Sequence, residues 1–173
     1  MVLTNINELW VSDITYIDIN SSFLYLAILI DAYSRKCIGW HLSRRIDTEL
    51  ALTALRKALE TRSHLDISGM VHHSDRGVQY ASLEYTECLK LSGVKISMSR
   101  VGNLYDNAYA ESFIKTLKFE EVYQTEYDSY QEAHVGIEKF IDIYNRKRLH
   151  SSLGYIPPDE FEEKLMKQQP ALS

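Results

Sequence analysis

Residues 9–42, LWVSDITYIDINSSFLYLAILIDAYSRKCIGWHL, carry the reading on which the fold turns. LWVSDITYIDI mixes β-branched and aromatic residues with polar interruptions, and Asn20, Ser21 and Ser22 then supply turn formers. FLYLAILI at 23–30 is unbroken and apolar, the mark of a strand covered on both faces. DAYSR makes a second turn, and KCIGWHL at 36–42 reads as a third strand. Three sequential antiparallel strands are the simplest account.

Outward from this unit the periodicity changes. Leu50, Ala51, Ala54, Leu55, Ala58 and Leu59 recur at three and four, predicting a helix capped by Asp47 or Thr48 and running to about Thr61. A brief strand around Met70 and Val71 runs into the polar turn HHSDRG. Ser82 opens a second helix to about Leu91, Gly93 ends it, and VKISM at 94–98 is a further strand. After a loop over 99–106 comes a helix containing Glu111. Another starts at Ser129, which has capping-box spacing to Glu132, with Tyr130, His134, Ile137, Ile141 and Tyr144 on one face. Pro157 and Pro158 stop that pattern, and DEFEEKLMK suggests a last short helix. The order is βββαβαβ followed by helices: an α/β fold. One domain is expected over 9–166, after a lead-in of 1–8 and before a disordered tail of 167–173.

The chain has 173 residues, 45% of them hydrophobic, enough to bury a core without metal or disulfide staples. Its longest apolar run has eight residues, too short to span a bilayer, and no charged leader precedes it, which points to the cytoplasm. Cys37 and Cys88 read as free buried thiols. The formal net charge of -5 argues against a dedicated nucleic-acid-binding domain. Charge is segregated, however: seven acids and one base lie between Glu120 and Asp142, and Arg146, Lys147, Arg148 and His150 follow as a basic block.

Three acids stand out by context. Asp13 sits among Trp10, Val11, Ile14 and Ile17, where a carboxylate is costly unless paired, hydrogen-bonded or metal-bound. Asp75 lies where a strand ends at a turn. Between it and Glu111 lie 35 residues, enough for a helix, a strand and a loop to bring the chain back. At 100° per residue Glu111, Lys115 and Lys118 fall within about 60° of one another, opposite Ala110, Phe113, Ile114 and Leu117. Alone, that is an ordinary solvated acid–lysine face. Together with Asp13 and Asp75 it becomes a candidate for holding two Mg²⁺ ions at a phosphodiester.

WVSDITYI around Asp13, HHSDRGVQY around Asp75, GNLYDNAYAESFIKTLK around Glu111 and YNRKRLHSSLGYIPPDEF at 144–161 together resemble the integrase-like catalytic core of bacterial insertion-sequence transposases, relatives of retroviral integrases. The resemblance implies a ribonuclease-H-like fold with a mixed five-stranded sheet flanked by helices. It implies a catalytic and metal-binding triad at Asp13, Asp75 and Glu111, and Mg²⁺, with Mn²⁺ able to substitute. It further implies DNA as partner, both transposon ends and target, in a homo-oligomeric complex. Lys115 and Lys118 inherit a DNA-contact role. The function implied is cleavage and strand transfer; the alternatives are a nuclease that only hydrolyses, or a silent DNA-binding or assembly module. The family's helix-turn-helix region precedes the core and is expected to be missing from this chain, and Leu104 stands where relatives commonly have Pro.

Arg146 and Arg148 read either as DNA contacts or as a cluster favourable at a helix C-terminus. Tyr105 is a candidate to stack on a base, and Gln79 and Tyr80 are candidates to face DNA. Of His72 and His73, one is expected to pack and the other to orient Asp75 or touch a phosphate. Asp31 reads as a turn cap or arginine partner, Gly77 as a positive-φ position, and Asn145, His150 and Ser151 as bracing or DNA-contacting residues. Asp106 reads as the cap of the Glu111 helix, with a mild effect expected for Asp106→Asn.

Overall fold

The computed structural model describes residues 2–20, 22–98 and 107–168. β1 (Leu9–Ile19), β2 (Ser22–Asp31) and β3 (Cys37–Ser43) form the antiparallel meander expected from the opening stretch. α1 (Thr48–Thr61) leads to β4 (Val71–Ser74), and α2 (Leu83–Leu91) leads to β5 (Lys95–Met98). β4 and β5 join in parallel, so the sheet is mixed, with strand order β3-β2-β1-β4-β5. α3 (Ala108–Glu120), α4 (Tyr130–Lys147) and α5 (Pro158–Gln168) complete the chain, with short 3-10 turns at Val122–Gln124 and Ser151–Leu153. α5 thus extends past the expected end of the core at 166.

Side chains alternate along the strands, so the sheet has a core on each face. On one, Val11, Ile17, Leu24, Leu26, Ile28 and Ile30 meet α3 and α4. On the other, Trp10, Ala27, Leu29 and Ile38 meet α1 and α2. Gly39 lets α1 approach β3: a Cβ there would stand 2.4 Å from the Ala54 carbonyl oxygen and 2.8 Å from the Ala58 Cβ.

The caps act as the sequence suggests. Asp47 accepts from the Leu50 N–H, Ser82 from the Tyr85 N–H and Ser129 from the Glu132 N–H. Gly93 takes the left-handed conformation expected after α2. Cys37 and Cys88 are free thiols. No helix among the described residues is long and apolar enough to cross a membrane.

Buried charge fastens α5 to the rest. The Arg62 guanidinium, 2% exposed, donates to both Glu162 carboxylate oxygens at 2.8 and 2.5 Å and lies 3.6 Å from Asp31. The Ser34 hydroxyl also donates to Glu162, at 2.6 Å. Asp31 does cap a turn, accepting from the Tyr33 and Ser34 N–H groups, and its arginine partner is Arg62, from another element.

Candidate active site

Strand register brings the first two acids together. Val11 pairs with His73 in the parallel β1–β4 ladder; two residues on, Asp13 follows within β1 and Asp75 just beyond the end of β4. The ladder stops there because β4 ends at Ser74, while β1 continues to Ile19 along β2. Asp13 shares the sheet face of Val11 and Ile17, the face covered by α3. Its Oδ1 accepts from the Ile14 N–H at 2.8 Å. Asp75 is exposed at the strand end, and its Oδ1 accepts from the Gly77 N–H at 2.8 Å.

α3 supplies the third acid. Ala110, Phe113 and Leu117 are its buried stripe, which leaves Glu111 exposed on the polar side. Burial foremost, then the charges of Asp75 and Glu111, raise the Asp13 carboxyl from its ordinary 3.8 to about 6. Among the described residues no three His, Cys, Asp or Glu side chains are close enough to hold one metal ion. The acids share a field without sharing a single coordination sphere. Their donors are all oxygen, and a half-buried carboxylate facing two like charges is the setting that a hard cation relieves, so this set fits Mg²⁺ or Mn²⁺.

Asn107 was not singled out from the sequence. It is the N-cap of α3 by position, yet its side chain makes no capping hydrogen bond and its buried Oδ1 has no partner among the described residues; its amide is near enough to Asp13 to oppose the rise slightly. The only sequence signal for it is its place one residue before α3. Asp106, expected as the cap, lies outside the described residues, as do Tyr105 and Leu104.

The histidines divide as expected in part. His72 is fully buried, its Nε2 2.8 Å from the Tyr85 hydroxyl, and burial pushes it down to about 3. His73 lies on the Asp13 face, with Nδ1 3.0 Å from the Ser97 hydroxyl. Tyr80 does not face DNA: it is 2% exposed, its hydroxyl 3.0 Å from Ser12 Oγ. Gly77 does not have positive φ either; a Cβ there would stand 2.9 Å from Asp75 Oδ1, so closeness to the carboxylate is what favours glycine. Gln79 is half-buried beside it, with its Oε1 3.0 Å from that same point.

Lys115 is exposed on the Glu111 side of α3, and Lys118 sits 4.1 Å over the Tyr16 ring. The basic block separates in space. Arg146 pairs with Asp142 at 2.9 Å, whereas Arg148 pairs with Glu120 and lines a different pocket. Asn145 braces: its side chain accepts from the Cys37 N–H at 3.0 Å and donates to the Cys37 carbonyl at 2.9 Å, standing in for a neighbouring strand at the sheet edge.

The sequence and the fold both have relatives among known proteins. The chain matches the "Integrase core domain" family over residues 4–104 and a second family of the same description over residues 92–158. The uncharacterized 31 kDa protein of insertion element IS600 from Shigella sonnei is 43% identical over 159 residues, covering 91% of this chain and 58% of that protein. The transposase for insertion sequence element IS904 of Lactococcus lactis is 42% identical over 158 residues, 91% of this chain and 62% of that one. The chain therefore spans about six tenths of the length of these curated relatives. The HTLV-2 integrase catalytic core, solved in complex with magnesium, superposes with a TM-score of 0.70 at 14% identity, covering 90% of this chain and 96% of that one. The ribonuclease-H-like fold is shared.

Proposed function

The chain belongs to the integrase core domain family, and from that premise we propose that it is the catalytic core of an insertion-sequence transposase, a metal-dependent DNA strand transferase. What supports this reading is the placement of Asp13 in β1 and Asp75 just past the end of the neighbouring β4, with Glu111 on the exposed side of α3, near enough for the charges of Asp75 and Glu111 to add to the burial that raises the Asp13 carboxyl. Asp13, Asp75 and Glu111 would hold two Mg²⁺ ions. Bound there, such ions supply activation of the attacking oxygen and stabilisation of the leaving oxygen.

The rest falls to the chain's own groups. Asn107 favours ionised Asp13, and the Gly77 N–H holds Asp75 at the strand end. Lys115 and Lys118 bind phosphates flanking the reacting one, and Gln79 and Tyr105 contact the strand near the site. A water or 3′-hydroxyl oxygen bonds to phosphorus as the bond to the 3′-oxygen breaks; the attacker's proton passes to solvent and the leaving oxygen takes one up. The freed 3′-hydroxyl then attacks a target strand in the same way. Two ends must be joined, so a homo-oligomer is the working form, consistent with HTLV-2 core structures described as trimeric and dimeric. The bacterial cytoplasm is the proposed place of action.

The test is nicking and joining of end-containing DNA by this chain in Mg²⁺ or Mn²⁺, with Glu111→Gln and Asp75→Asn as controls. Each is expected to lower the rate at least about 100-fold. Full activity in either variant would refute the triad. A pre-cut end separates the alternatives, because hydrolysis without joining identifies a nuclease.

A further inference from the structure

α3 presents a second polar face. Tyr109, Ser112 and Thr116 recur at three and four beside the Glu111 line, and with the segment after α4 they enclose a pocket of about 380 Å³. Into it come Arg35 from the turn after β2, Arg148 from the end of α4 and His150 beyond it. None of these belongs to the carboxylate site.

The lining combines positive charge with one buried polar atom that has no partner. Arg35 is half-buried with its guanidinium 4.0 Å over the Tyr109 ring, and among the described residues it has no carboxylate partner. Stacking fixes the plane of the guanidinium while leaving its edge N–H groups available. Arg148 is balanced by Glu120, so the pocket keeps a net positive charge from Arg35. His150 packs edge-on against Tyr144, with ring centroids 5.1 Å apart, and its buried Nε2 has no hydrogen-bond partner. Its backbone is fixed by the Tyr155 N–H donating to its carbonyl at 2.8 Å, through a turn in which Gly154 has φ of 77°. Ser112, Ser151 and Ser152 bring exposed hydroxyls to the pocket's rim. A guanidinium edge, an imidazole nitrogen and several hydroxyls around one small concavity match a phosphate oxyanion in charge and donor number.

We infer that this pocket binds one backbone phosphate of the DNA strand running along α3, held by Arg35 with Arg148, His150 and Ser112. The inference rests on the proposed function for the identity of the ligand. Ser112 follows Glu111 directly and Thr116 follows Lys115, so one helix carries the reacting-phosphate acid on one side and this anchor on the other. The pocket residues are binding groups that fix the strand's register.

Two measurements on the whole chain test it, both in EDTA so that strand cutting plays no part. In the first, inorganic phosphate is titrated while the His150 ring signals are followed by NMR; a saturable shift is expected in the parent chain and its loss in Arg35→Gln. In the second, fluorescence anisotropy gives the affinity for a labelled duplex across a salt series. Arg35→Gln is expected to lower the slope of log affinity against log salt by about one unit, as for one lost phosphate contact. Lys164→Gln, on α5 and paired with Glu160, controls for general charge loss. Should Arg35→Gln fail to fold by circular dichroism, Arg148→Gln carries the same expectation. An unchanged slope, or an equal drop in Lys164→Gln, overturns the inference. A His150 shift with phosphate but an unchanged DNA slope overturns the assignment to DNA in favour of a small phosphate ligand. The proposed function is judged by metal-dependent cutting, so the two can fail separately.

Discussion

Replacing Asp13 by Asn is expected to make the metal-free chain more stable at neutral pH, although the same change removes a proposed metal ligand. Burial and the charges of Asp75 and Glu111 raise the Asp13 carboxyl from 3.8 to about 6. A rise of that size costs about 3 kcal/mol of folding free energy once the group is ionised. The sign follows from proton binding: the folded state holds this proton more tightly than the unfolded chain. The penalty is thus absent below about pH 4, grows through about pH 6 and is complete above it. Asn keeps the shape and an acceptor for the Ile14 N–H but carries no charge. Urea unfolding in EDTA, followed by Trp fluorescence, should show Asp13→Asn ahead by about half the full difference at pH 5 and by about 3 kcal/mol at pH 8. The latter corresponds to roughly 6 to 12 °C in Tm for a chain of this size. Mg²⁺ should then raise the stability of the parent chain and leave the variant where it was. A parent chain as stable as the variant at pH 8, or a difference that ignores pH, would refute the reasoning.

Three further outcomes follow from the packing. Glu162→Gln leaves Arg62 buried without its principal counter-charge and should cost about 3 to 5 kcal/mol, with α5 becoming sensitive to limited trypsin digestion; an unchanged Tm and digestion pattern would count against the buried pair as the fastening of α5. Gly39→Ala forces a methyl against the Ala54 carbonyl and should cost at least about 2 kcal/mol in urea unfolding, and a neutral result would mean that α1 can retreat from β3. Asn107→Ala removes a group that favours ionised Asp13, so the acidic limb of the pH–rate profile for DNA cutting should move up; an unmoved limb would show that Asn107 does not tune Asp13.

Much of this protein can be read along the chain because local rules settle it. The unbroken FLYLAILI run had to be a strand covered on both faces, and β2 pairs on both sides with helices above and below. Asp47, Ser82 and Ser129 cap the helices that their positions announce, because an orphan N–H and a nearby side-chain oxygen are all a cap requires. Asp13, Asp75 and Glu111 were visible as candidates because a carboxylate in an apolar strand or at a strand end needs a reason.

What only the tertiary structure decided depends on which distant residues meet. Nothing in HHSDRG shows that His72 turns to Tyr85 while His73 shares the Asp13 face; the parallel pairing of Val11 with His73 decides that. Tyr80 reads as a surface tyrosine and is buried on Ser12, and Gly77 reads as a turn glycine but owes its place to the nearby Asp75 carboxylate. Asn107 looks like half of a cap, makes no capping bond, and instead lies near enough to influence an acid 94 positions away in sequence. The basic block looks continuous, yet Arg146 and Arg148 enter different pockets because the helix ends between them. Sequence alone determined the elements and the kinds of groups available, since those follow from neighbours along the chain. Tertiary structure decided their partners, since charge, hydrogen bonding and exclusion of water act through space.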